Sequence, residues 1–335
     1  MSGIPLDLPG IAAAHAALAP SVRETPIWPW RDDTVGGLLP PGTEPILKLE
    51  LFQYAGSFKA RGALSVMRTL ARPALARGVT AVSAGNHAIA VAWAARTLGA
   101  TAKVVMPKTA DPFRVARCQA LGAAVVLAED VHAAFAAAER IGSEEGRTFV
   151  HPFEGPLTAL GTATLGYELL RQAPDLGAVI VPVGGGGLAG GLAAAIKLMR
   201  PDCPVFGVEP EGNDVMLRSI RSGRPERMPE GGYRTIADSL SPPYALPMSF
   251  DLCRRYLDDV VLVSDDDLRR TLALLFRTAK LAVEPAGAAA AAALLGPLRE
   301  RLAGKKVGLI VCGTNIASER FADHLLRGTA LLDAA

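Results

Sequence analysis

The chain has 335 residues, of which half are hydrophobic and only 5% are aromatic, and its 35 basic and 33 acidic side chains give a net charge of +2. This length suits two domains and is ample to bury a core. Charges of both signs are scattered along the chain without the basic run that follows a phosphate backbone, so we expect no nucleic-acid partner.

The four cysteines are far apart and make no metal-type pair, which is typical of a reduced, cytoplasmic protein. The N-terminal residues lack the basic region of a signal peptide. One long uncharged run, residues 176–196, contains Pro182 and several glycines, whose freed backbone groups would find no partners in lipid. We therefore expect no membrane span in this run.

The first predicted element is a helix at residues 57–70, which follows the turn-forming Gly56. Short apolar strands then alternate with segments of helical composition. The strands are predicted at 79–83, 103–106, 123–127 and 149–150. The helices between them are predicted at 86–98, 112–121 and 133–146. Strands alternating with helices of this length predict βαβ units around a parallel sheet.

A second alternating series follows residue 151. Its helices are predicted at 157–172, 188–199, 268–280 and 286–295, and its strands at 178–183, 205–208 and 307–311. Residues 223–247 are rich in proline, glycine and charge and are predicted to be an excursion from the core.

These patterns predict an α/β protein with two open, twisted, mostly parallel sheets flanked by helices. We expect residues 1–76 and 152–335 to form a large, cofactor-binding domain and residues 77–151 to form a small α/β domain. In such folds ligands bind at the carboxyl ends of the strands and at domain boundaries, so the cleft between the sheets is the predicted active site.

Lys59 stands just inside the first predicted helix, where burial and the positive end of the helix dipole lower the pKa of an amine. On its own, such a lysine is far more often a solvated residue at a helix start. Three turn-like loops, at residues 83–87, 184–188 and 312–315, change that interpretation. One lysine with three cofactor-sized loops is what a Schiff-base enzyme that uses pyridoxal phosphate needs.

The glycine run from Gly184 to Gly187 follows a predicted strand and precedes a helix, where backbone N–H groups can hold a phosphate. Gly185 and Gly187, with the glycine three positions later, also match the dinucleotide fingerprint, and Glu209 lies where a ribose-binding acid would. An NAD-dependent oxidoreductase is therefore the alternative from another class.

The other two loops have ordinary interpretations as well. Ser83 and Asn86 suit a substrate carboxylate and a phenolic oxygen, but both are common helix caps, and His87 alone suits a packed histidine. Cys312 could contact a ring nitrogen, or be a small apolar residue. Glu284 opens a predicted helix, as a cap or as a partner near the ring.

Taken together, these segments resemble the fold-type II pyridoxal-phosphate enzymes (tryptophan synthase β-like), in the serine/threonine dehydratase (threonine ammonia-lyase) and serine racemase branch. The resemblance runs from about residue 25 to residue 316 and keeps the order of the family's motifs. The matching segments are Gln53, 56–63, 83–88, 208–212, 235–238 and 284–287.

The resemblance implies that Lys59 forms the Schiff base and is the catalytic base at Cα. It implies cofactor contacts from Lys59, Phe58, Asn86, Gly184, Gly185, Gly186, Gly187, Leu188, Glu284 and Cys312. It implies substrate contacts from Ser83, Ala84, Gly85, Asn86 and His87. The implied reaction is elimination of water from an L-β-hydroxy amino acid, threonine or serine by default, to give a 2-oxo acid and ammonia. A homo-oligomer, and first a dimer, is expected by the habit of the family.

Three departures from the family pattern refine this expectation. Racemases of the branch carry a serine where this chain has Ala84, so a dehydratase is favoured over a racemase, with a cysteine synthase-like β-replacement next. Ala55 and Ile89 replace usual pocket residues, so threonine itself is not assured. Glu209 and Asp214 could belong to a Mg²⁺ or Ca²⁺ site, but the next expected acid is a valine.

Overall fold

The computed structural model describes residues 6–229 and 235–334. Within these residues ten strands form two sheets. In chain order the strands are β1 (Ile27–Pro29), β2 (Glu44–Lys48), β3 (Val79–Val82), β4 (Ala102–Pro107), β5 (Ala124–Ala128), β6 (Thr148–Phe149), β7 (Ala178–Pro182), β8 (Val205–Pro210), β9 (Asp259–Val263) and β10 (Lys306–Ile310). The predicted α/β architecture with two mostly parallel sheets is confirmed.

The larger sheet has the strand order β1-β2-β10-β7-β8-β9, and only the edge strand β1 pairs antiparallel to its neighbour. The smaller sheet has the order β5-β4-β3-β6, with every pair parallel. All strands of the smaller sheet lie between residues 79 and 149, whereas the larger sheet draws strands from both sides of that stretch. The domain boundaries near residues 76 and 151 stay a prediction.

Fourteen α-helices in the described residues cover the sheets. They are α1 (Leu8–Leu18), α2 (Asp33–Leu38), α3 (Lys59–Arg68), α4 (Arg72–Arg77), α5 (Asn86–Thr97), α6 (Pro112–Ala120), α7 (Val131–Glu145), α8 (Pro156–Gln172), α9 (Gly187–Met199), α10 (Val215–Ser222), α11 (Pro247–Tyr256), α12 (Asp265–Ala279), α13 (Pro285–Leu295) and α14 (Ser318–Asp333).

The core around the larger sheet contains many small side chains, which let helices approach the sheet closely. Strand β7 is buried along its whole length, and α13 buries ten of its residues, seven of them alanines. Helices α8 and α9 approach each other where a Cβ on Gly191 would lie only 2.2 Å from Thr162 Oγ1. Such close packing holds the carboxyl end of β7, and the glycine loop after it, in a fixed position.

Local chemistry explains where predicted boundaries differ from the structure. Helix α3 begins at Lys59 and not at residue 57, because Ser57 is extended and forms a β-bridge with Gly313. Helix α12 begins before residue 268, because Ser264 and Asp267 form a capping box. The predicted excursion at 223–247 contains one 3₁₀ turn, Asp238–Leu240, and residues 230–234 of it lie outside the described residues.

Candidate active site

The predicted loops converge on one cavity of about 350 Å³. It lies where α3 begins and where the loops after β3, β7 and β10 end. Every residue predicted to contact cofactor or substrate lines this cavity: Phe58, Lys59, Ser83, Ala84, Gly85, Asn86, His87, Gly184, Gly185, Gly186, Gly187, Leu188, Glu284 and Cys312. The structure thus brings the predicted residues together, while their individual roles remain predictions.

Lys59 is the first residue of α3 and extends its amine into the cavity. Its Nζ donates a hydrogen bond to the carbonyl oxygen of Pro152 and lies 5.1 Å from the centre of the Phe58 ring. Desolvation lowers the pKa of this amine from 10.5 to about 8, against the opposing influence of Cys312 and Glu284. At pH 7 about a tenth of the amine is therefore neutral, and so nucleophilic, which is far more than at the ordinary lysine pKa.

The glycine loop before α9 presents backbone without side chains. Gly186 has a φ of +84°, a conformation that favours glycine. A Cβ on Gly185 would lie 2.2 Å from the ring of Phe153, and one on Gly187 would lie 2.4 Å from the carbonyl oxygen of Phe153. Because the first N–H groups of a helix have no partner within it, this loop fits a phosphate.

Asn86, the first residue of α5, is held by a buried hydrogen-bond network. Its Nδ2 donates to Glu284 Oε1 at 2.6 Å and to Ser239 Oγ at 3.2 Å. Its Oδ1 accepts from Asn315 Nδ2 at 2.6 Å. Burial raises the pKa of Glu284 to about 7, although the charge of Arg114 opposes that shift. The network fixes the amide that is predicted to face the cofactor hydroxyl.

The side chain of Arg114, from α6, forms hydrogen bonds to residues on the other side of the cleft. Its guanidinium donates to Asp238 Oδ2 at 2.6 Å, to Glu284 Oε2 at 3.3 Å and to the carbonyl oxygen of Asn315 at 2.9 Å. The Arg114 side chain is only 6% exposed. Sequence reasoning missed it, because an arginine in a helix with an exposed face is usually solvated.

The thiol of Cys312 lies at the end of β10 and is neutral. Its Sγ donates to the carbonyl oxygen of Ala286 at 3.4 Å, and burial raises its pKa well above the ordinary value. The predicted position beside a ring nitrogen is thus occupied by an uncharged group.

The segment that follows β6 is a part of the site that the sequence did not reveal. His151 Nδ1 accepts from the backbone N–H groups of Phe153 and Glu154, at 3.3 and 3.0 Å. Glu154 in turn accepts from the first N–H groups of α11. The segment therefore links the smaller sheet to α11 and holds Phe153 beside the glycine loop. No motif in its sequence signals that role.

The two histidines nearest Lys59 are neutral. Burial lowers the pKa of His87 to about 3, and the charge of Lys59 adds to the effect. His87 Nε2 lies 2.8 Å from the carbonyl oxygen of Val150. Burial likewise lowers the pKa of His151 to about 4. His87 is therefore a packed, uncharged residue at the cavity wall.

Glu209 and Asp214 lie outside the cavity. Glu209 accepts from Met216 N and Leu217 N, at 2.9 and 2.8 Å, and so caps α10, while Asp214 pairs with Arg218. Burial raises the pKa of Glu209 to about 8. No group of three or more possible metal ligands occurs in the described ranges. The carboxylate of Glu209 already accepts hydrogen bonds from the backbone of α10.

Among the described residues, no helix combines the length and the apolar character needed to cross a bilayer.

Several known proteins are similar to this chain in both sequence and architecture. The family described as pyridoxal-phosphate dependent enzyme matches residues 19–313. A phenylserine dehydratase from Ralstonia pickettii is 54% identical over 320 residues, which cover 95% of this chain and 96% of that protein. The crystal structure of a threonine deaminase from T.th. has a TM-score of 0.86 at 39% identity, covering 93% of this chain and 99% of that one. The structure of maize serine racemase has a TM-score of 0.87 at 30% identity, covering 96% and 98%.

Proposed function

Since this chain belongs to the family of pyridoxal-phosphate-dependent enzymes, we propose that it is a lyase that eliminates water from an L-β-hydroxy amino acid. The products are a 2-oxo acid and ammonia. Its cofactor is pyridoxal phosphate, so the alternative of a dinucleotide oxidoreductase is wrong. The observation that carries the proposal is the cavity in which the amine of Lys59, with its lowered pKa, faces the 83–87 loop.

Bound pyridoxal phosphate supplies an aldehyde carbon for an amine and an electron sink for the pair left when a Cα proton departs. Lys59 would be the amine that holds it, and the N–H groups of the loop from Gly184 to Gly187, with Leu188, would hold its phosphate. The Asn86 amide would contact its hydroxyl and the neutral Cys312 thiol its ring nitrogen. An uncharged partner would leave that nitrogen less positive than a carboxylate would, and so weaken the electron sink.

The residues of the chain handle the substrate as follows. Backbone N–H groups of residues 83–87 and the hydroxyl of Ser83 bind the carboxylate. The Nζ of Lys59, once free, would take the proton from Cα of the substrate. The low pKa of this amine suits it to this proton transfer, because its neutral form is accessible near neutral pH.

A racemase remains the nearest alternative within the family. Ala84 lines the cavity and carries no proton donor for the face opposite Lys59. Racemisation needs a donor on that face, so elimination is favoured. A cysteine synthase-like β-replacement has no observation that supports it above elimination.

The name of one relative supports a proposal for the substrate. Threonine and serine are the default substrates. The relative from Ralstonia pickettii is named a phenylserine dehydratase and aligns over nearly the whole chain, so a β-aryl serine is the favoured substrate.

We infer a large domain of residues 1–76 and 152–335, a small domain of residues 77–151, a homodimer, and a cytoplasmic location. The cytoplasmic location is supported by the four cysteines, which are free and buried.

An assay of ammonia and 2-oxo acid release tests the proposal, with L-serine, L-threonine and L-threo-3-phenylserine as substrates. We expect equal amounts of both products from at least one substrate, and loss of release in Lys59→Ala. Lys103→Ala, which changes a lysine on strand β4 outside the cavity, is the matched control and should keep the activity. Retained elimination in Lys59→Ala would refute the role of Lys59.

A further inference from the structure

The cavity has an apolar compartment beside the groups that the reaction needs. The polar contacts for an amino acid come from the 83–87 loop and Lys59, whereas another part of the lining is formed by aliphatic and aromatic side chains. These come from both sides of the cleft. Elimination uses the amine, the carboxylate, the Cα proton and the β-hydroxyl, so the compartment serves none of these groups.

One wall belongs to the smaller sheet and its helix α7. Val82 ends β3 and Pro107 ends β4, so both lie at the carboxyl edge of this sheet. Val131 and Phe135 are four residues apart on α7 and therefore share a face of that helix. The ring of Phe135 packs on the core under the sheet, and its centre lies 6.3 Å from that of Phe149. This wall is apolar and packs against the core of the smaller sheet.

A second apolar wall of the same cavity is formed by Pro242, Pro243 and Tyr244. Tyr244 forms a β-bridge with Arg227, whose guanidinium carbon lies 5.0 Å from the centre of the tyrosine ring. The carbonyl oxygen of Pro243 accepts from Met228 N at 2.9 Å. This wall is thus anchored by the chain segment beside it. The neighbouring Ser241 hydroxyl donates to the carbonyl oxygen of Ala237, so it is not directed at a substrate.

We propose that these two walls bind the aryl group on Cβ of the substrate, with Phe135 and Tyr244 as the specificity-determining residues. The proposal rests on the proposed elimination reaction and names the residues that select its substrate. A hydrogen or methyl group on Cβ offers too little apolar surface to contact both walls, whereas a phenyl ring can pack against aromatic rings on two sides. A β-aryl serine is then preferred over threonine and serine.

The test compares the variants Phe135→Ala, Phe135→Leu and Tyr244→Ala in steady-state assays with L-threo-3-phenylserine and L-threonine. We expect kcat/KM for phenylserine to fall by about tenfold or more in each alanine variant, while the value for threonine changes by less than about threefold. Phe135→Leu keeps an apolar side chain for the core, so its kcat/KM for phenylserine should lie between the values of the wild type and of Phe135→Ala. Phe149→Ala is the matched control, because its ring contacts that of Phe135 but does not line the cavity.

Equal losses for both substrates, or unchanged preference in every variant, would overturn the compartment. A second measurement separates this outcome from failure of the reaction itself. L-phenylalanine and L-alanine are titrated against the absorbance of the bound cofactor, which reports binding without elimination. If the wild type releases no ammonia yet binds phenylalanine with a Phe135-dependent preference, the compartment stands and the proposed reaction fails. If removing either ring leaves that preference intact, the compartment is refuted.

Discussion

At the scale of single residues, the chemistry depends on how the cavity tunes the amine of Lys59. Desolvation lowers the pKa of this amine to about 8, and the negative charge of Glu284 works against that shift. The amine is protonated below this pKa and neutral above it. Only a neutral amine can attack the aldehyde of the cofactor, so on the proposed role of Lys59 its pKa sets the pH range in which the apoprotein takes up the cofactor.

We therefore predict that the rate of pyridoxal phosphate uptake by the apoprotein rises with pH and levels off above about 8. Stopped-flow absorbance across a pH series measures this profile. Glu284→Gln removes a charge that raises the pKa of Lys59, so its profile should move to lower pH. Rates that still climb near the ordinary lysine pKa of about 10.4 would contradict the account.

Ala84 lines the cavity and is proposed to lie on the cofactor face opposite Lys59, where an alanine supplies no proton donor. Ala84→Ser places a hydroxyl there, and we expect it to add interconversion of L- and D-serine while elimination continues. Chiral chromatography of the remaining amino acid measures the gain. If the variant keeps the cofactor and eliminates water but forms no D-serine, the absence of a donor at position 84 is not what suppresses racemisation.

At the scale of elements, helix α3 is positioned by a buried ionic network behind Lys59. Arg61 donates to both carboxylates of Glu50 and Glu168, at 2.8 to 2.9 Å, and Lys48 pairs with Glu168. The side chains of Lys48, Glu50 and Arg61 are fully buried, and that of Glu168 is 2% exposed. Two positive and two negative charges balance, so loss of one member leaves buried charge without a partner.

We predict that Arg61→Met lowers the free energy of unfolding by about 3–5 kcal/mol, because two buried carboxylates then share one lysine. Urea unfolding followed by circular dichroism measures the loss. Lys108→Met breaks an exposed pair with Glu129 and should change stability little. A similar small effect for both variants would mean that the network does not hold α3.

The same elements show what the sequence could and could not predict. Buried strands such as β7 stand out as apolar runs before a glycine loop, and the loops that follow β3, β7 and β10 were recognisable as motifs. The edge strand β1 has three residues, and prolines at positions 26 and 29 interrupt its short apolar run, so the sequence did not indicate a strand there. Helices α1 and α14 pack at the termini of the chain without a motif that would have indicated them.

At the scale of the whole molecule, Arg114 connects the unit of the smaller sheet to the unit of the larger sheet. Its partners Asp238, Glu284 and Asn315 lie 124 to 201 residues away in the chain. Such a contact depends on how two units meet, and nothing local in the sequence predicts it. The same limit applies to Pro152, whose carbonyl oxygen accepts from Lys59 across the cavity.

We predict that Arg114→Ala lowers kcat/KM for elimination by about tenfold or more, because a buried, hydrogen-bonded charge pair across the cleft is broken. The loss of a cation should also raise the pKa of Glu284 further, since Arg114 opposes the effect of burial there. Arg117→Ala, on the exposed face of the same helix, is the control and should keep wild-type kinetics. Equal kinetics in both variants would show that the contact does not shape the site.

We propose above all that Lys59 is the amine through which this enzyme uses its cofactor. The most direct test is to reduce the holoenzyme with borohydride, which fixes pyridoxal phosphate to the amine that holds it, and to map the modified lysine by peptide mass spectrometry. We predict one phosphopyridoxyl group, on Lys59, and none after the same treatment of Lys59→Ala. A modification on another lysine, or none in a protein that eliminates water, would contradict this role of Lys59.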